Sequence, residues 1–139
     1  MGIFQREPGT PLADGTALVI DAMKKVDIDR FVVMSSLGVG DSAGQGNWLV
    51  RLLTRTRLKF VMIDKNAQEA LIRESGLNWT IIRPPRIMPG AVDPHFLKWE
   101  GSDCQGKPKW QISAATAAHA MLDCLQDSKS FHRAFQISN

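Results

Sequence analysis

Two regimes of apolar spacing alternate along this chain. Short unbroken apolar runs give way to longer stretches in which apolar residues recur every three or four positions. The runs "RFVVMSS", "LNWTIIRPP" and "RAFQIS" predict strands over 30–35, 79–83 and 133–138, with a weaker candidate over 2–5. Helical spacing predicts a helix in "GTALVIDAMKKV", with Asp14 as its N-cap and Lys24 and Lys25 at its C-terminal end, where the dipole favours cations. A second helix in "NWLVRLLTRTRLK" sets Trp48, Leu49, Leu52 and Leu53 on one face. The clearest is "FVMIDKNAQEALIRESG", which spaces Phe60, Ile63, Ala67, Ala70 and Leu71 along one face. It pairs Glu69 with Arg73 and stops at Gly76. Residues 86–112 read as irregular, broken by Pro89, Gly90, Pro94, Gly101, Gly106 and Pro108. A short strand "WQIS" follows, and Ser113 caps the helix "AATAAHAMLDCLQ".

Strands alternating with helices predict an α/β fold with a parallel sheet. The run at 30–35 is apolar on both faces, as a central strand is, yet only about thirty residues precede it. What lies on its other side is the first question the pattern raises.

Composition narrows the class. The 139 residues suit a single domain over 1–139, with 44% hydrophobic and 22% charged residues, ordinary for a globular chain. A formal charge of +3 does not call for nucleic acid. No apolar stretch approaches the roughly 20 residues of a membrane helix. The opening "MGIFQREPGTPLADG" lacks the pattern of a secretory signal, so a cytoplasmic location and no membrane partner are expected. Cys104 and Cys124, like His95, His119 and His132, lack metal-ligand spacing, so no metal is expected. Tyrosine is absent altogether.

"AMKKVDIDRFVVMSSLGVGDS", "DKNAQEALIRESGLNWTIIRPPRI", "IS" before "AAHAMLDCL", and "HRAFQIS" occur in an order and spacing that resemble the atypical short-chain dehydrogenase/reductases. The resemblance covers about residues 15–139 and is nearest the NmrA-like and flavin/biliverdin reductase-like branch. It implies a Rossmann-like parallel sheet flanked by helices, here partial. The first strands and the glycine-rich motif that seats a cofactor pyrophosphate on a helix N-terminus are lacking. "GVGDSAG" comes closest to that motif but follows the wrong strand. The chain is accordingly expected to be N-terminally shortened. The strand edge left bare is expected to be covered by a homodimer partner or another chain.

The same resemblance implies site residues. Ser36 matches a strand-end serine that positions the substrate, and Lys65 matches the lysine of a Tyr-x-x-x-Lys motif, whose tyrosine position holds Val61. Tyrosine acid catalysis is excluded. Flavin and biliverdin reductase-like relatives also work without that tyrosine. Asp64 is a candidate acid or base beside Lys65. Ser35, Arg83, Pro84 and Pro85 are candidate cofactor contacts at the strand ends, and His95, Phe96 and Trp99 are candidate substrate contacts in the 86–112 loop. Each has a plainer reading: serines bonding local backbone, a solvated lysine, a surface carboxylate, a proline ending a strand, core aromatics. Trp110 belongs with those aromatics, and the basic set Arg51, Arg55, Arg57 and Lys59 reads as a solvated helix face. After "IS", Ala114 and Thr116 stand where the family carries an Arg and an Asp.

The function these residues imply is NADP-dependent reduction of a small conjugated or aromatic molecule, with cofactor binding questioned by the missing glycine motif. Two alternatives stand beside it. One is a cofactor-independent isomerase or cyclase using the cleft of Ser36, Lys65, Arg83 and the 86–112 loop. The other is a non-catalytic NmrA-like binding or regulatory module.

Overall fold

A computed structural model describes residues 8–45, 52, 56 and 58–139. The candidate strand over 2–5, most of the helix over 47–59, and Arg51, Arg55 and Arg57 lie outside the described residues. The chain divides into two compact units, residues 1–29 with 38–77, and residues 30–37 with 78–139.

The first unit is helical. Helix α1 spans Pro11–Lys25, a 3-10 turn spans Gly40–Ser42, and helix α2 spans Lys59–Glu74. Helix α1 begins earlier than its sequence suggests. Pro11 occupies the first turn, where its fixed φ fits and no N–H is missed, so Thr10 rather than Asp14 holds the N-cap position. Asp14 sits in the first turn and accepts the Thr10 hydroxyl at 3.2 Å. Lys24 and Lys25 occupy the last turn as expected. The buried positions of α1, Ala13, Thr16 and Ile20, recur at helical spacing, and α1 packs against α2.

The face of α2 that is buried differs from the apolar one. Val61, Asp64, Gln68, Glu69 and Ile72 are buried, whereas Ile63 is 50% exposed and Leu71 is also exposed. The reason lies in α1. Asp64 accepts the N–H groups of Leu12 and Ala13, each at 2.9 Å, and Gln68 donates to Thr16 Oγ1 at 2.9 Å. A polar face is buried because the neighbouring helix pairs it. Arg73 approaches Glu69 at 3.9 Å, and Gly76 follows α2 at φ +76°, which a residue with a Cβ resists.

The second unit carries the sheet. Strands β1 (Arg30–Met34), β2 (Asn78–Arg83), β4 (Leu97–Trp99) and β6 (Arg133–Ser138) form one sheet in the order β1–β2–β6–β4. The first three are parallel, and β4 runs antiparallel to β6. Strands β3 (Arg86–Met88) and β5 (Gln111–Ser113) form a separate parallel pair. The stretch 86–112 is therefore not irregular throughout. Its strands are three residues long, too short for a repeating pattern to mark them.

Helix α3 (Ala114–Gln126) covers one face of the sheet. Ser113 caps it by accepting the Thr116 N–H at 3.0 Å. Its small buried side chains Ala117, Ala120 and Cys124 let Ile82, Phe135 and Ile137 approach closely, and truncating Ile82 to Ala there would cost about 2–5 kcal/mol. Arg30 ties strand to helix. Its guanidinium donates to Asn78 O, Thr80 Oγ1, Ser130 Oγ and the carbonyls of Cys124 and Leu125.

Candidate functional site

The parallel ladder of β1 and β2 continues past both strands. Ser35 N–H donates to Ile82 O at 2.8 Å, and Leu37 N–H donates to Pro84 O at 2.9 Å. Ser35 therefore lies beside Arg83. Arg83 is aligned with Gln136 on β6, and Gln136 with Trp99 on β4. Side chains alternate along strands, and Met34, Ile82, Phe135 and Ile137 point to α3. The row Ser35–Arg83–Gln136–Trp99 consequently points to the opposite face, at the C-terminal ends of the parallel strands, where open α/β sheets take their ligands. All four residues are buried. Among the described residues, Ser35 Oγ and both polar atoms of the Gln136 side chain find no hydrogen-bond partner.

The other strand-end candidates are near but distinct. Ser36 is half-buried and donates to Leu37 O at 3.3 Å, a local backbone bond. Pro84 is fully buried after β2 and Pro85 half-buried. His95 is exposed, its N–H held by Asp93 Oδ1 at 2.9 Å. Phe96 packs on the α3 core and stands edge-on to His119 at 6.4 Å. Of the aromatic trio only Trp99 joins the row. Nearby, Ser113 Oγ donates to Ala91 O at 2.7 Å and Thr116 Oγ1 accepts the Asp93 N–H at 2.9 Å, which pins the loop before β4 to the start of α3.

Lys65 and Asp64 belong to α2, in the first unit. Lys65 is half-buried, and that burial pushes its ammonium below the ordinary range, while Glu69 and Asp64 pull it back up. Asp64 is not a surface carboxylate. It is fully buried, and each oxygen accepts a backbone N–H from the start of α1. Val61, at the tyrosine position, is buried.

The glycine loop spends its donors on itself and its neighbours. Gly38 N–H goes to Ser42 Oγ at 2.9 Å, and Gly40 N–H goes to Asn66 Oδ1 at 3.0 Å. Ser42 and Ala43 donate to Val39 O and Gly40 O. Among the described residues, no group of three His, Cys, Asp or Glu side chains is placed to hold a metal ion, and no helix is long and apolar enough to cross a membrane.

Sequence reading missed Gln136, which looks like one polar residue in an apolar strand. No local signal marks it, because its place beside Arg83 comes from the register of β2 and β6.

Parallel strands with a row of buried side chains at their C-terminal ends, and a helix packed on one face, define a Rossmann-like fold. A family described as NAD(P)H-binding matches residues 3–128, and the chain belongs to it. Among solved structures, a short-chain dehydrogenase/reductase from Veillonella parvula in complex with NADP superposes with a TM-score of 0.75 at 18% identity, covering 95% of this chain and 60% of that one. ChuY from Escherichia coli CFT073 gives a TM-score of 0.74 at 21% identity, covering 91% of this chain and 60% of that one. ChuY from Escherichia coli O157:H7, described as an anaerobillin reductase, gives 0.71 at 21% identity, with 96% and 61% covered. An uncharacterised chloroplastic protein of Arabidopsis thaliana is 28% identical over an alignment of 123 residues that covers 84% of this chain and 41% of that protein. The chain thus spans about 60% of the solved relatives' length.

Within the second unit, the hydroxyls of Ser35 and Ser36 at the end of β1 are of a kind that suits a ribose. The glycine loop does not suit a pyrophosphate, because its Gly38 and Gly40 N–H groups are already engaged.

Proposed function

We propose that this protein takes part in NAD(P)H-dependent reduction of a small conjugated or aromatic molecule. The observation that carries this reading is the match of the NAD(P)H-binding family across residues 3–128. A reduced nicotinamide, when bound, supplies hydride. On the protein's side, Ser36 would orient the polar end of the acceptor, and Ser35, Arg83, Pro84 and Pro85 would shape the floor beside the nicotinamide. Trp99 would lie along a flat ring, with Phe96 and His95 further out on the loop. Lys65, on α2, is the residue that the resemblance offers for a ribose hydroxyl, by its ammonium. Asp64 beside it steadies α1, which leaves proton transfer to solvent or substrate.

Calorimetric titration with NADPH and NADH tests the reading, followed by NADPH oxidation in the presence of flavins and open-chain tetrapyrroles. Micromolar binding and saturable oxidation that falls with Lys65→Ala are expected. No binding up to millimolar cofactor overturns it.

A second reading is favoured by the engaged N–H groups of Gly38 and Gly40. A cofactor-independent isomerase or cyclase would use the same strand ends without a pyrophosphate seat, and would turn over with no nicotinamide present.

A second chain along β1 belongs to either reading. Among the described residues β1 pairs with β2 alone, and an open edge of a parallel sheet invites another strand. A homodimer or a partner chain would supply it.

A further inference from the structure

We propose that the row Ser35–Arg83–Gln136–Trp99 is a subsite for an amide edge, a planar group that presents a carbonyl oxygen and an N–H side by side. The inference rests on the reading above only in placing a small molecule at these strand ends.

The Gln136 side chain carries the argument. Its Oε1 accepts and its Nε2 donates, the side chain is wholly buried, and neither atom has a partner among the described residues. A buried amide left unpaired is costly, so a native protein keeps one where something pairs it. An amide is complementary to another amide, whose N–H meets Oε1 while its carbonyl meets Nε2. A carboxylate has no donor and would set its charge against Oε1. A cation would be set beside Arg83, the residue aligned with Gln136 on β2. Ser35 Oγ, also buried and unpaired, adds a hydroxyl that can give or take a hydrogen bond. Trp99, aligned with Gln136, ends the row with an indole for a flat ring to lie on. The ligand class is a ring lactam of the substrate or the carboxamide of a nicotinamide.

The test titrates 15N-labelled full-length protein with 2-pyridone, nicotinamide and benzoate. It follows the Gln136 side-chain NH2 signals, assigned by their loss in Gln136→Met. Movement of those signals with 2-pyridone or nicotinamide but not benzoate is expected, with binding about tenfold weaker in Gln136→Met. The stronger amide ligand tells substrate lactam from cofactor carboxamide. Unmoved signals with both amides, or equal movement with benzoate, overturn the proposal. The wild-type signals decide even if Gln136→Met does not fold, since Gln136→Asn then provides the assignment. NADPH that fails to bind while 2-pyridone moves Gln136 removes the cofactor reading alone. NADPH binding with Gln136 silent to both amides removes the subsite alone.

Discussion

Asp64 on α2 accepts the N–H of Ala13 on α1 at 2.9 Å, and its other oxygen accepts that of Leu12 at the same distance. One carboxylate thus serves two of the N–H groups that a helix start leaves unpaired, a service usually given by a residue of the same helix. Asp64→Ala leaves both without a partner in a buried place. It should lower stability by about 1–3 kcal/mol. Asp64→Asn, which keeps one acceptor, should recover part of the loss. Urea denaturation of the two variants checks the order, and equal midpoints for wild type and Asp64→Ala would rule the cap unimportant.

Arg30 should be intolerant of its nearest substitute. Its planar guanidinium reaches Asn78 O at 2.6 Å, Thr80 Oγ1 at 2.9 Å and Ser130 Oγ at 2.9 Å, and lies 4.6 Å from the centre of the Phe131 ring. Lysine has one nitrogen and cannot spread its donors across these acceptors. Arg30→Lys should cost about 1.5–3 kcal/mol, the scale of hydrogen bonds made by a charged group. Thermal and chemical unfolding measure it, and a loss below the scatter of surface variants contradicts it.

Lys65 makes stability depend on alkaline pH. Burial pushes its ammonium below the ordinary value of 10.5. Between the lowered folded value and the ordinary one, the unfolded chain holds the proton and the folded chain does not, so stability rises with pH across that window. Below it both states are charged, and the folded state bears the full cost of burial. Lys65→Met should therefore be the more stable protein at pH 7, with an advantage that shrinks as pH climbs toward 10.5. Denaturation midpoints over that range test the trend. A constant difference would assign the effect to packing instead.

Among the described residues β1 pairs with β2 alone, which gives a prediction about assembly. Light scattering on size-fractionated protein should show a dimer at micromolar concentration, or a partner should co-purify in fixed proportion. A monomer at every accessible concentration would count against a second chain.

Local chemistry made much of this molecule legible. The strands Arg30–Met34, Asn78–Arg83 and Arg133–Ser138 each announce themselves by a short apolar run, and each is found. Ser113 caps α3, Gly76 ends α2, and Arg73 pairs with Glu69, all from spacings of four residues or fewer. The resemblance carried by four motifs led to the family, the Rossmann-like sheet and the strand-end location of Ser35, Ser36 and Arg83.

Other features depend on residues far apart, and no local pattern records them. Ile63 and Leu71 fit the apolar stripe of α2 but are exposed, because Asp64 and Gln68 are paired by α1, some fifty positions away. Strands β3 and β4 are too short to show a period, and exist because β5 and β6 provide ladders for them. Gln136 stands beside Arg83 and Trp99 only through strand register. The sequence by itself determined which segments become helix or strand and which family they compose, because those choices rest on neighbours a turn or a pleat away. The tertiary structure alone decided which faces are buried and which side chains share a row, because burial and register are settled between segments and not within them.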